Sequence, residues 1–163
     1  MPAKLVISNN SPLVALWGLD LLSLLQDLYT EVWIPRAVEK EFLRKQKEAR
    51  QQALNDAPWI KTVDLADPQS ATVYEGLDDG EAEVLALANE HKASFVIIDE
   101  KKARQEAKRV GLIVKGTAGI LLEAKKKGLI DTIKPLIITL QNNGMHLSKP
   151  LIDFVLQEAG EAQ

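Results

Sequence analysis

Short apolar runs of strand length recur along this chain, at residues 3–8, 31–34, 60–63, 95–98 and 112–114. Between most of them lie longer stretches whose apolar positions return at helical spacing. Strands that alternate with helices form parallel βαβ units, because a parallel connection must cross over the sheet and has room for a helix. The pattern predicts an α/β fold: a three-layer α/β/α arrangement with a central parallel sheet of about four to five strands flanked by helices.

The breaks between runs have their own chemistry. Asn9-Asn10-Ser11-Pro12 stops the first strand and opens a helix. Pro35 follows Val32-Trp33-Ile34 and suits the first position of a helix, where its missing N–H costs nothing. From there the chain is helix-permissive to residue 56, with Pro58 marking the end. Asp78-Asp79-Gly80-Glu81 has the spacing of a capping box, Asp78 as cap and Glu81 three residues on. The helix it opens, 81–91, carries Val84, Leu85, Leu87 and Ala88 on one face. Asp99 ends the fourth strand and opens a helix over 100–110 that stops at Gly111. Gly116-Thr117-Ala118-Gly119 leads into another helix that reaches Lys127, with Gly128 as its stop. Two more helices, 132–141 and 148–158, close the chain after Asn142-Asn143-Gly144. No repeat, low-complexity tract or linker interrupts this order. The expected organisation is one domain over 1–163, with 132–160 as a C-terminal helical extension or interface.

At 163 residues there is enough chain to bury a proper core. A hydrophobic share of 46% and a charged share of 26% are those of a soluble globular protein. The absence of cysteine excludes disulfides, thiolate metal sites and cysteine nucleophiles, and fits a reducing cytoplasm. No run approaches the roughly 18 apolar residues that span a bilayer. The first apolar stretch is broken by Asn9, Asn10 and Pro12, which does not suit a signal peptide. Cytoplasmic residence without membrane contact is expected. A net charge of −3 argues against binding nucleic acid through the whole surface. Lys and Arg nevertheless concentrate in 36–50, 101–109 and 125–127. Such runs are ordinarily solvated helix faces.

In alternating α/β chains, ligands collect at the carboxyl ends of strands. Asn9 and Asp99 stand at such ends, Glu41 follows the second strand, and Glu81 opens a helix between them. Each acid also has a structural role to fill. Asp99 can be an N-cap, Glu81 a first-turn carboxylate, and Glu41 one more exposed acid on a charged helix. Placement tells against the last of these. Glu41 follows Val38 by three and precedes Phe42, so it flanks the apolar stripe. Asn9 and Asp99 become neighbours if the first and fourth strands pair. Carboxylates brought together without cations repel and raise each other's pKa. A cluster of this kind calls for a hard divalent cation, Mg²⁺ or Mn²⁺, suited to water activation and to charge on a phosphodiester.

Other chemistries find less support. Lys101, Arg104 and Lys108 recur at helical spacing and can line a phosphate path, or simply lay their stems over the surface. The glycines around Thr117 are too sparse for a dinucleotide fingerprint and lack the Lys-Ser/Thr of a P-loop. His91 and His146 have neither metal-ligand nor triad spacing, and Ser11 has no GxSxG context. Trp17, Trp33 and Trp59 read as core or interface residues.

Five pieces in order carry a family resemblance. They are Val6-Ile7-Ser8-Asn9-Asn10-Ser11-Pro12-Leu13, Ile34-Pro35-Arg36-Ala37-Val38-Glu39-Lys40-Glu41, Asp79-Gly80-Glu81-Ala82-Glu83, Ile97-Ile98-Asp99-Glu100-Lys101-Lys102-Ala103-Arg104 and Gly116-Thr117-Ala118-Gly119-Ile120-Leu121. Through them the chain resembles PIN-domain proteins, in particular an uncharacterised PIN-like branch related to VapC-type toxin ribonucleases. The resemblance implies an acidic pocket for Mg²⁺ or Mn²⁺ and endoribonuclease cleavage of single-stranded or structured RNA. It implies a small antitoxin protein and a homodimer as partners. Glu41, Glu81 and Asp99 fall on the acidic pocket positions, and Glu83 is a supporting acid that faces another way. Ser11 falls on a small hydroxyl position near the metal, while Asn10, Glu100, Lys101, Arg104 and Thr117 accompany the pocket. Glu100 stands where a second Asp is frequent. Asn9 stands where the family has its first Asp. An amide oxygen can ligate the metal but brings no charge, so weaker metal binding and slower or abolished hydrolysis follow. A PIN-like module that binds RNA or a protein without cleavage is the alternative.

Overall fold

The computed structural model describes residues 4–162. Five strands form one parallel sheet: β1 (Val6–Ser8), β2 (Val32–Pro35), β3 (Ile60–Val63), β4 (Phe95–Ile97) and β5 (Val114–Lys115), in the order β3-β2-β1-β4-β5. The chain runs outward from β1 to β3, then returns to lay β4 beside β1. Strand order therefore reverses between β1 and β4, the crevice where open α/β sheets bind ligands. Helices cover both faces, as expected. Val6, Ile7, Val96 and Ile97 are wholly buried, which is why β1 and β4 are unbroken apolar runs rather than alternating ones.

The helices are α1 (Asn10–Gly18), α2 (Leu24–Tyr29), α3 (Arg36–Phe42), α4 (Lys47–Asn55), α5 (Asp79–His91), α6 (Lys101–Arg109), α7 (Thr117–Lys126), α8 (Lys134–Asn142) and α9 (Lys149–Glu158). The capping box on α5 forms as read: Asp78 Oδ1 accepts from Glu81 N at 2.8 Å, and Glu81 Oε1 from Asp78 N at 3.1 Å. α7 ends before Gly128, whose φ of 76° only glycine adopts without strain. Leu13, Leu16, Phe42, Leu85 and Leu121 meet in the core, and Ile137, Leu140 and Val155 of α8 and α9 join the same apolar cluster.

The structure corrects several boundaries. The long helix expected from Pro35 is two helices. Pro35 ends β2 and stands before α3 with extended ψ of 164°, rather than being a first helical residue. Gln46 then adopts a left-handed φ of 48°, and α4 starts as a separate helix. Residues 43–47 are mostly charged and have little to bury, so packing does not hold them in register with α3. Arg50 on α4 instead caps the α3 end, donating from Nη1 to the Phe42 carbonyl at 2.9 Å. Glu100, not Asp99, is the N-cap of α6, and the Asp99 carboxylate is committed elsewhere. The fifth strand lies slightly later than read. Residue 3 of the expected first strand is outside the described residues.

Candidate functional site

A cleft of about 1080 Å³ opens beyond the carboxyl ends of β1 and β4. Asn10 and Ser11 enter it from the start of α1, Asp99 and Glu100 from the turn after β4, and Glu41 from α3. These five, with Lys101 and Arg104, are sequence-predicted site residues that the fold brings together. Strand pairing accounts for much of this. Ser8 is in register with Ile97, and Asn9 N donates to Ile97 O at 2.9 Å, which sets Asn9 one step from the Asp99 turn.

Asp99 is held from one direction. Thr117 N donates to Oδ1 at 2.7 Å and Thr117 Oγ1 to Oδ2 at 2.6 Å. Gly116 makes that approach possible: a Cβ there would lie 3.0 Å from both Asp99 Oδ1 and Arg104 Nη1. Burial pushes the Asp99 carboxyl above its ordinary range, against the pull of the Thr117 bonds and of Arg104. Thr117 is wholly buried and does not line the cleft. Its role is to position Asp99. That role was unread in the sequence, although a hydroxyl at the start of the helix after Gly116 is a signal for it.

Glu41 and Glu81 form a second acidic group. Burial raises the Glu41 carboxyl, the Asp78 and Glu81 charges add to it, and Arg44 and the Gly80 amide oppose it. Glu41 Oε1 lies against Gly80, where any Cβ would collide with it. Burial also raises Glu81, although its bond from the Asp78 amide works the other way. Glu81 is mostly buried, engaged in the capping box, and absent from the cleft wall. Glu83 is absent from the cleft wall: its Oε1 accepts from Ala37 N at 3.2 Å, and the residue lines a small adjoining hollow that shares Glu41 and Arg44 with the cleft.

The donors suit a hard cation in kind and fall short in charge. Asn9 is 4% exposed, and its Oδ1, like that of Asn10, is buried with no donor in reach. Buried acceptors without partners are costly, and a divalent cation satisfies them. Yet among the described residues no three His, Cys, Asp or Glu side chains gather closely enough to hold a metal ion. Asn9 offers that end of the cleft a neutral amide oxygen and no charge.

The rest of the cleft is basic. Arg44, Lys45, Arg50, Lys101, Arg104 and Lys108 all line it, so the three cations expected on α6 are joined by Arg44 and Lys45 from the α3–α4 turn and Arg50 from α4. Among the described residues, none of the six has a carboxylate oxygen within 4.0 Å, while eight other Lys and Arg side chains do. Arg104 instead donates to the Ile98 carbonyl at 2.8 Å. The 36–50 charge run was legible, but its arrival at the site depends on the helix break. Asn143, Met145 and His146, between α8 and α9, close another wall.

A family model described as PIN domain matches residues 5–161. A comparison with curated proteins returns no significant match. The matched span includes all five strands and every acid discussed above. A parallel sheet whose strand order reverses beside Asp99, and a family match over nearly the whole chain, together mean that this chain belongs to the PIN-domain family.

Proposed function

We propose that this protein is a metal-dependent endoribonuclease of the PIN type, hydrolysing RNA phosphodiesters with a weakened metal pocket. The observation that carries the reading is the joining of Asp99 and Glu41 in one cleft to six cations that have no carboxylate partner among the described residues. Unpaired Lys and Arg on a concave wall focus a positive field that draws in a polyanion. Asp99 and Glu41, backed by Glu81 and by the neutral Asn9 amide oxygen, would hold Mg²⁺ or Mn²⁺. When bound, the ion supplies positive charge that polarises a phosphodiester oxygen and makes water more acidic. Thr117 holds the Asp99 carboxylate in one orientation. Lys101, Arg104 and Lys108 run along α6 and bind successive phosphates. Ser11 and Asn10 supply polar contacts at the acidic end.

The wider reading follows the VapC-related branch: a cytoplasmic toxin held in check by a small antitoxin protein. The exposed Ile138 and Phe154 of α8 and α9 support a homodimer through those helices. A second reading, RNA binding without cleavage, is favoured by the lack of three gathered acids. One assay separates them. Wild type, Asn9→Asp and Asp99→Ala are incubated with Mn²⁺ and a mixed RNA pool. Slow cleavage by wild type, faster cleavage by Asn9→Asp and none by Asp99→Ala are expected. Cleavage that survives Asp99→Ala overturns the ribonuclease reading. RNA that is bound but left whole by both wild type and Asn9→Asp establishes the second.

A further inference from the structure

Arg50 is an anomaly in this fold. It is 5% exposed, yet among the described residues no carboxylate oxygen lies within 4.0 Å of it. Its guanidinium lies 4.9 Å from the Trp17 ring centroid and 5.1 Å from that of Phe42. Nη1 is occupied by the Phe42 carbonyl at 2.9 Å, and Nε is buried with no acceptor. That bond is the only side-chain hydrogen bond Arg50 makes among the described residues, so Nε and Nη2 have no protein acceptor. Burial lowers the Arg50 pKa with no anion to offset it.

A buried cation without a counter-charge is strongly unfavourable, and ring faces recover only part of that cost. A capping role alone would be met by a lysine or an exposed arginine. The surroundings supply a reason for the expense. Arg50 lines the same cleft as Arg44 and Lys45, neither of which has a carboxylate oxygen within 4.0 Å among the described residues, whereas Asp99 is held from the α7 side. Nη1 is taken by Phe42 and Nε is enclosed, so Nη2 is the nitrogen left to donate to a phosphate oxygen in the cleft, with Arg44 and Lys45 beside it as further donors. A guanidinium fixed between two rings loses little freedom when an anion arrives.

We propose that Arg50, with Arg44 and Lys45, forms a phosphate-binding subsite in the wall of the cleft. Its chemistry is that of a phosphate oxyanion. The nucleic-acid reading is needed only for the source of that phosphate, namely an RNA backbone position away from the one cleaved.

The test uses the full-length protein, without divalent metal, so that cleavage plays no part. The Arg50 ¹⁵Nε–¹Hε resonance of wild type is followed while inorganic phosphate, or a short single-stranded RNA, is added. A saturable shift with either probe is expected. A shift with RNA alone assigns the site to a backbone phosphate, and a shift with both assigns it to free phosphate as well. Silence with both overturns the proposal. In parallel, RNA affinity of Arg50→Gln and Arg50→Lys is measured by anisotropy over a range of salt. Arg50→Gln is expected to bind about tenfold more weakly, with a salt slope shallower by about 0.7. Arg50→Lys should keep the slope and lose part of the affinity. A folded Arg50→Gln with unchanged affinity and slope reduces Arg50 to a structural cap and also overturns the proposal. If Arg50→Gln does not fold, Lys45→Gln replaces it with the same expected loss of slope. Absence of cleavage in the Mn²⁺ assay leaves these outcomes untouched, so the two readings fail separately.

Discussion

Glu123 and Glu161 are met by donors on every side, whereas Asp99, Glu41 and the cations around them are left incompletely matched. Glu123 Oε2 accepts from Tyr29 Oη at 3.0 Å and from Lys115 Nζ at 2.8 Å. Glu161 accepts from Ile133 N, Lys134 N and Lys125 Nζ, closing the start of α8 against α7. Burial alone would raise both carboxyls, but these bonds outweigh it and hold them below the ordinary range. At Asp99, Glu41 and Glu81 burial wins and the carboxyls stay raised. The first region has completed its electrostatics within the chain. The second has acids without enough cations at one end and cations without acids along the rest, which is how a binding site differs from a structural network.

The comparison can be broken most sharply at Asn9. Asn9→Asp restores a charge to a residue that is 4% exposed. Mn²⁺ affinity measured by calorimetry should rise about tenfold or more, a gain of about 1.4 kcal/mol. Metal-free protein should lose stability at the same time, because the new carboxylate is buried beside unneutralised ones. Unchanged Mn²⁺ affinity would mean that Asn9 is not part of the pocket.

Glu123→Ala should destabilise by about 2 kcal/mol, lowering Tm by about 4–8 °C, because Tyr29 and Lys115 lose their shared acceptor. The pH dependence follows from the depressed carboxyl. Its stabilisation is present above the unfolded pKa and is lost as pH falls through the folded one. A scan of Tm against pH should therefore show a flatter acid limb in Glu123→Gln than in wild type.

Asp99→Asn should act in the opposite direction. Asparagine keeps an acceptor for Thr117 N and removes the buried charge, so a gain of about 1 kcal/mol, or about 2–4 °C in Tm, is expected at neutral pH. A raised carboxyl binds its proton more tightly in the folded state. Stability therefore falls as pH climbs from the unfolded pKa to the folded one, and Asp99→Asn should remove part of that fall. A loss of stability at neutral pH would place Asp99 with Glu123 as a structural acid.

The smallest effect is expected at the edge of the cleft. Lys108→Gln should leave stability within about 0.5 kcal/mol, since the side chain has no ion pair to lose. RNA binding should weaken modestly, with a salt slope shallower by about 0.7.

Much of the fold was legible because local chemistry and global packing agree. Apolar runs marked β1 to β4, Asp78 and Glu81 marked the start of α5, and Gly111 and Gly128 marked where helices stop. The break between α3 and α4 was not legible. Nothing in residues 43–47 forbids a helix, and the turn is stabilised by Arg50 reaching back to Phe42, a contact that exists only once both rings are in place. The acids were readable as candidates from their positions after strands. Thr117 needed the structure, because it holds the carboxylate of a neighbouring turn, and so did the position of Glu81, whose capping box was legible but whose absence from the cleft wall was not.

Sequence by itself determined the alternating architecture, the candidate acids and the amide at Asn9, since these depend on residue type and spacing along the chain. Only the tertiary structure decided which charges go without partners. Pairing is a matter of distance in space, and the fold that gives Glu123 and Glu161 their donors is the same one that gathers six cations along one cleft with, among the described residues, no carboxylate oxygen within 4.0 Å of any of them.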